Sequence, residues 1–163
     1  MRLAALFRGV GPGEAAGAGR RLKLSAAMAS LIETAARMAR WETLPTVAVS
    51  GAVPGREAVS FLWEAAPWEP EIIMLAAAQA GARGGAEPQE AVRAFQALMT
   101  LLDRRETADT FPLDGTALMQ ATGAGAGPRL GRALRAARLA WEAGEVTTRE
   151  QAMAVARADL GEG

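Results

Sequence analysis

The chain has 163 residues, 18 basic and 18 acidic side chains, half of its residues hydrophobic, and neither histidine nor cysteine. That length fits one domain or at most two small ones, with enough chain to bury a core without covalent staples. The missing residue types exclude disulfides, thiolate chemistry, zinc sites, and Ser-His-Asp or Cys-His catalysis.

Helical periodicity runs through nearly every segment. Residues 2–8 read as a short apolar turn of helix. Gly9 to Gly19 is a glycine-rich stretch, helical in part at Glu14-Ala15-Ala16. Ser25 is placed to cap a helix that buries Met28, Leu31, Ile32, Ala35 and Met38 and ends near Trp41, ahead of Pro45. Thr46 to Val49 is the only strand-like run, and without a pairing partner it reads as an extended linker. Pro54 opens a helix with Val59, Leu62 and Trp63 inward, and Pro67 closes it. The next helix holds Pro70 in its first turn and Ile72, Ile73, Leu75 and Ala76 inside, ending at Gly81, Gly84 and Gly85. Glu87-Pro88 starts another, with Val92, Phe95, Leu98, Met99 and Leu102 inward, followed by a charged connector from Asp103 to Thr110. Asp114 then caps a short helix with Leu118 and Met119. A long helix follows from Gly127 to about Ala143, ended by Gly144. Thr147 with Glu150 offers a capping box for a last helix burying Ala152, Val155, Ala156 and Leu160. The expectation is an all-α fold of seven or eight helices with no sheet. It divides into a helical body over 1–110 and a tail over 111–163.

The chain contains no run of about 18 apolar residues that would span a membrane, and its start has too short an apolar block for a secretory signal. A cytoplasmic protein without a membrane partner is therefore expected. Charge is unevenly spread. Residues 1–41 carry seven basic and two acidic side chains, and residues 42–110 carry five and ten. Lys23 is the sole lysine against seventeen arginines. A GC-rich genome accounts for most of that bias, although arginine also grips phosphate better.

The segment from Phe111 to Trp141 points most clearly to a partner. On a wheel of about 100° per residue, Leu134, Ala137 and Trp141 fall within about 40° of Leu130, while Arg138, Arg135, Arg132 and Arg129 spread over the opposite side. No acidic residue lies between Gly115 and Trp141. One side is built to bury; the other is either an ordinary solvated face or a face for a polyanion. Gly123, Gly125 and Gly127 permit close approach of a phosphate to the helix start, or form a plain elbow between helices. A dinucleotide-binding loop would need a preceding strand, and a P-loop would need a following Lys-Ser or Lys-Thr. A helix-hairpin-helix DNA element is imitated only loosely by residues 123–131. The tryptophans read as core anchors more readily than as base-stacking platforms, and no Asp-x-Asp metal pair or catalytic carboxylate pair is found.

Phe111-Pro112-Leu113-Asp114-Gly115, Leu118-Met119, Gly123, Gly127-Pro128, Leu130-Gly131 and Leu134, followed by Trp141 and Gly144, resemble the C-terminal tail of bacterial CCA-adding enzymes. These are class II tRNA nucleotidyltransferases of the poly(A) polymerase family. Upstream, Arg20-Arg21-Leu22-Lys23-Leu24-Ser25 is similar to the start of that family's helical body. Ala117 and Ala124 depart from the family pattern, which has Asp and a branched residue there. The family's catalytic head, with its Gly-Ser turn and Asp-x-Asp, has no counterpart in the chain. The resemblance thus implies a non-catalytic body and tail that hold tRNA or another structured RNA. Magnesium and CTP or ATP would be needed only by the parent enzyme, and the head domain would be a further partner. The RNA-binding candidates are Arg129, Arg132, Arg135, Arg138 and the Gly127 amide region, extended by Arg20, Arg21 and Lys23. No catalytic, cofactor or metal residue is assigned. The alternative is a non-catalytic scaffold that docks onto a partner domain.

Overall fold

A computed structural model of the chain describes residues 10–38, 55–82, 88–107 and 110–161. The described residues are all-α, in eight helices: α1 Pro12–Arg21, α2 Ala26–Arg37, α3 Arg56–Ala65, α4 Glu69–Ala82, α5 Pro88–Thr107, α6 Gly115–Thr122, α7 Pro128–Glu142 and α8 Arg149–Leu160. The short helix read over 2–8, Trp41 and the linker at 46–49 lie outside the described residues. None of the helices is long and apolar enough to cross a membrane.

Local chemistry sets most helix ends. The glycine-rich stretch is helical from Pro12 onward, further than its composition suggests. Pro12 takes the first helical position, where its missing N–H costs nothing, and Glu14 accepts from the Gly11 N–H at 3.2 Å. Gly19 then packs α1 closely on α2: a Cβ there would stand 3.4 Å from Ala29 Cβ. Ser25 caps α2 by accepting from the Met28 N–H, and Asp114 caps α6 by accepting from the Ala117 N–H at 2.7 Å. Gly123, Gly144 and Gly161 all take left-handed φ just after a helix, the conformation in which a Cβ would be strained.

Four sequence readings need correction. Helix α2 ends at Arg37, with Met38 as its C-cap. Helix α5 continues through Thr107, so most of the charged connector is helical. Its residues are good helix formers, and buried Leu101 and Leu102 with the Arg105–Glu142 bridge anchor that turn. Val92 is 53% exposed, because α5 turns Leu98, Leu101 and Leu102 inward instead. The last capping box is Thr148 with Gln151, one residue later than read. Thr148 accepts from the Gln151 N–H at 3.2 Å, and Gln151 Oε1 accepts from the Thr148 N–H at 3.2 Å. The run Thr147-Thr148-Arg149-Glu150-Gln151 offers two registers, and glutamine closes the box as well as glutamate does.

Two main apolar clusters result. One gathers Leu31, Met38, Phe61, Leu62, Ile72, Ile73 and Leu98 from α2 to α5. The other gathers Leu113, Leu118, Leu130, Ala133, Ala137, Ala152, Ala156 and Leu160 around α6, α7 and α8. Helix α7 belongs to both, since its Leu139 and the following Ala143 pack into the first cluster.

Candidate nucleic-acid interface

The buried side of α7 is not centred where the wheel placed it. Its fully buried residues are Leu130, Ala133, Ala137 and Ala140, whereas Leu134 and Trp141 are half-buried at the margin. This turns the helix by roughly 50° relative to a stripe centred on Leu130 and Trp141. Arg129 then lies beside the buried edge and folds back to donate to the Leu160 carbonyl at the end of α8.

The opposite side is not uniformly open. In the C-terminal half of α7, helix α3 packs against the arginine face. The Arg135 guanidinium lies 4.9 Å from the centre of the Trp63 ring, a cation–π contact. Arg138 Nε donates to Glu142 Oε1 at 2.9 Å. Glu142 also bridges Arg105 at 2.8 Å and accepts from the Trp63 indole at 2.7 Å. With its side chain only 11% exposed, this carboxylate ties α3, α5 and α7 together. The absence of acidic residues up to Trp141 made the arginine face read as unpaired along its own helix. The residue immediately after Trp141 supplies the missing charge.

Of the four arginines, Arg132 alone is exposed without a partner among the described residues. It stands in the N-terminal half of α7, where the surroundings are open: a Cβ built at Gly125, Gly127 or Gly131 would meet nothing within 4 Å. After Pro128, which has no N–H, the Arg129 and Leu130 amides are left without intrahelical acceptors, as at any helix start. Arg20, Arg21 and Lys23 are exposed at the end of α1 and in the following turn, with Lys23 at φ 51°. Helix α1 packs on α2, and no substantial packing joins it to α7. The structure therefore brings the α7 arginines together on one helix but does not place the α1 cluster beside them.

Other guanidiniums serve the fold. Arg37 donates to the Glu64 carbonyl at the end of α3 at 2.9 Å, and Arg157 donates to the Ala121 carbonyl at the end of α6 at 3.0 Å. With Arg129 on Leu160, three helix C-termini carry an arginine from a different helix, which satisfies orphan carbonyls and complements the helix dipole. Arg56 and Glu145 form a forked pair at 2.7–3.0 Å. The hydrogen bond to Glu145 raises the Arg56 guanidinium above its ordinary value, opposed by burial and reinforced by the carboxylate's charge. Sequence spacing gives no sign of these long-range arginine roles. Only Arg138–Glu142, at i and i+4, was legible.

Two of the described tryptophans have satisfied indoles: Trp63 on Glu142, and Trp68 on Ser30 Oγ at 3.0 Å. Trp141 meets Phe111 edge to face at 6.2 Å. Among the described residues no three carboxylates come together as metal ligands. No family model, curated protein or solved structure matches the chain.

Proposed function

We propose that the chain is a non-catalytic helical module that holds tRNA or a similarly structured RNA by its backbone, as the resemblance to the tail of CCA-adding enzymes implies. The observation that carries this reading is the open N-terminal half of α7, where Arg132 is exposed without a partner among the described residues and a Cβ at Gly125, Gly127 or Gly131 would meet nothing within 4 Å. A phosphate there would meet a guanidinium and the free amides of a helix start together. Arg135 and Arg138, each held on one side by a neighbour, extend the positive strip. Arg20, Arg21 and Lys23 offer a separate basic patch. Contacts of this kind position RNA without reading its sequence.

A filter-binding titration of the full chain with unfractionated tRNA tests it. Binding at low salt should fall steeply as salt rises, and R132Q should reduce the log–log salt slope by about 0.7–0.9. Absence of tRNA binding at low salt overturns the reading, as does an affinity and salt slope unchanged by R132Q combined with R135Q.

The scaffold reading also has an observation in its favour. Arg129, Arg135 and Arg138 all have partners within the fold, and Met74 and Val92 are exposed on the packed pair α4–α5. Size-exclusion chromatography with a class II nucleotidyltransferase head separates the two readings. A stable protein complex without RNA affinity favours the scaffold.

A further inference from the structure

A cleft of about 620 Å³ opens between α5, the segment leading into α6 and the C-terminal half of α7. Its volume lies within the range of small-molecule sites. Leu101, Leu102 and Leu113 form an apolar floor. Trp141 brings an aromatic ring to the wall, held edge to face by Phe111. Arg104, Arg105 and Arg138, with the carboxylates of Glu69 and Glu142, stand among the described lining residues. Glu142 is already committed to Arg105, Arg138 and Trp63. Arg138 gives only its Nε to that carboxylate, and no hydrogen bond from its terminal nitrogens falls among the described residues. Its side chain is 57% exposed. An anchored guanidinium whose outer edge stays available is already oriented for an anion, so ligand binding costs it little further ordering.

We propose that this cleft binds a small molecule in which an anionic group, phosphate or carboxylate, is joined to a flat aromatic body. The anion pairs with the outer edge of Arg138, and the ring lies on the Leu102–Leu113 floor beside Trp141. An apolar floor beside charged walls favours the joined molecule over either half. The inference does not require RNA binding, because the cleft is lined chiefly by residues outside the RNA-binding candidates.

The test is titration of the full chain, observed through its backbone and indole ¹H–¹⁵N signals, with three probes: 1-naphthyl phosphate, 1-naphthoate and AMP. Inorganic phosphate and naphthalene-free buffer serve as references, and W141F assigns the Trp141 indole. The expected result is a saturable shift of the Trp141 indole at low-millimolar probe or below, with the Trp68 indole unmoved. R138Q should weaken binding about tenfold, as loss of a charge-assisted bond does. T110F, a change at an exposed lining position, should fill the cleft and abolish the shift while leaving the melting temperature unchanged. Saturation by AMP alone identifies the ligand source as nucleotides, and saturation by the naphthyl compounds identifies it as aromatic anions generally. Either supports the site. No shift of Trp141 with any probe, or shifts that persist in T110F, overturns it, whatever the tRNA titration gives.

Discussion

The two apolar clusters are built on opposite packing rules. Around α2 to α5 the interior is filled by Phe61, Ile72, Ile73, Leu62 and Leu98, each essentially excluded from solvent. Each such side chain contributes about 1.5–3 kcal/mol by burial. Where α7 meets α8, the buried faces are mostly alanine: Ala133, Ala137, Ala152 and Ala156, with Leu130 and Leu160 at the ends. Alanine removes little area from water, so this interface gains by letting two helices approach closely and by keeping side-chain entropy loss small. The first region should therefore be sensitive to atoms removed, and the second to atoms added.

The largest expected effect breaks the first half of that comparison. Phe61→Ala should cost about 3–5 kcal/mol, read as a fall in the urea midpoint at constant m-value. Ala137→Leu should cost about 1–3 kcal/mol by overpacking the α7–α8 contact. The same alanine-to-leucine change at exposed Ala154 should be nearly neutral by urea titration. If Ala137→Leu were neutral as well, close helix approach would not be what holds the tail. Glu142→Gln tests how the regions are joined. It keeps the shape but leaves Arg105 and Arg138 without their carboxylate, at about 1–3 kcal/mol. Calorimetry should then show a broadened or split transition where the parent shows one. Arg56→Gln should have the smallest effect, less than about 1 kcal/mol and smaller still in high salt, because the forked pair with Glu145 is solvent-exposed. A larger loss would make this outer pair a second joint between the regions.

Much of the helix plan was legible in the sequence because local chemistry decides it: Ser25 and Asp114 as caps, Pro67 and Gly144 as stops, the all-α class from periodicity. The misplacements have physical reasons. The rotation of α7 could not be read from Leu130, Leu134, Ala137 and Trp141 alone, because alanines at 133 and 140 carry as much of the contact and weigh little in an apolar pattern. Leu139 and Ala143 lie on the supposedly polar back of the helix, and they were the available sign that a second partner packs there. The candidate site shrank accordingly. Arg129 went to a helix end, Arg135 to an indole and Arg138 to a carboxylate, all distant or unremarked in sequence, which leaves Arg132 as the one α7 arginine without a partner among the described residues.

The crossed arginines of the tail bear on how it is completed. Arg129 of α7 closes the end of α8, and Arg157 of α8 closes the end of α6. Helix α6 thus takes its finish from a later helix, and α8 takes its own from the earlier α7. Without residues beyond 142, the Ala121 carbonyl of α6 lacks the Arg157 donor and Arg129 of α7 lacks the Leu160 acceptor. Both contacts need the last turn of α8, so a tail cut before Arg157 loses two fastenings at once.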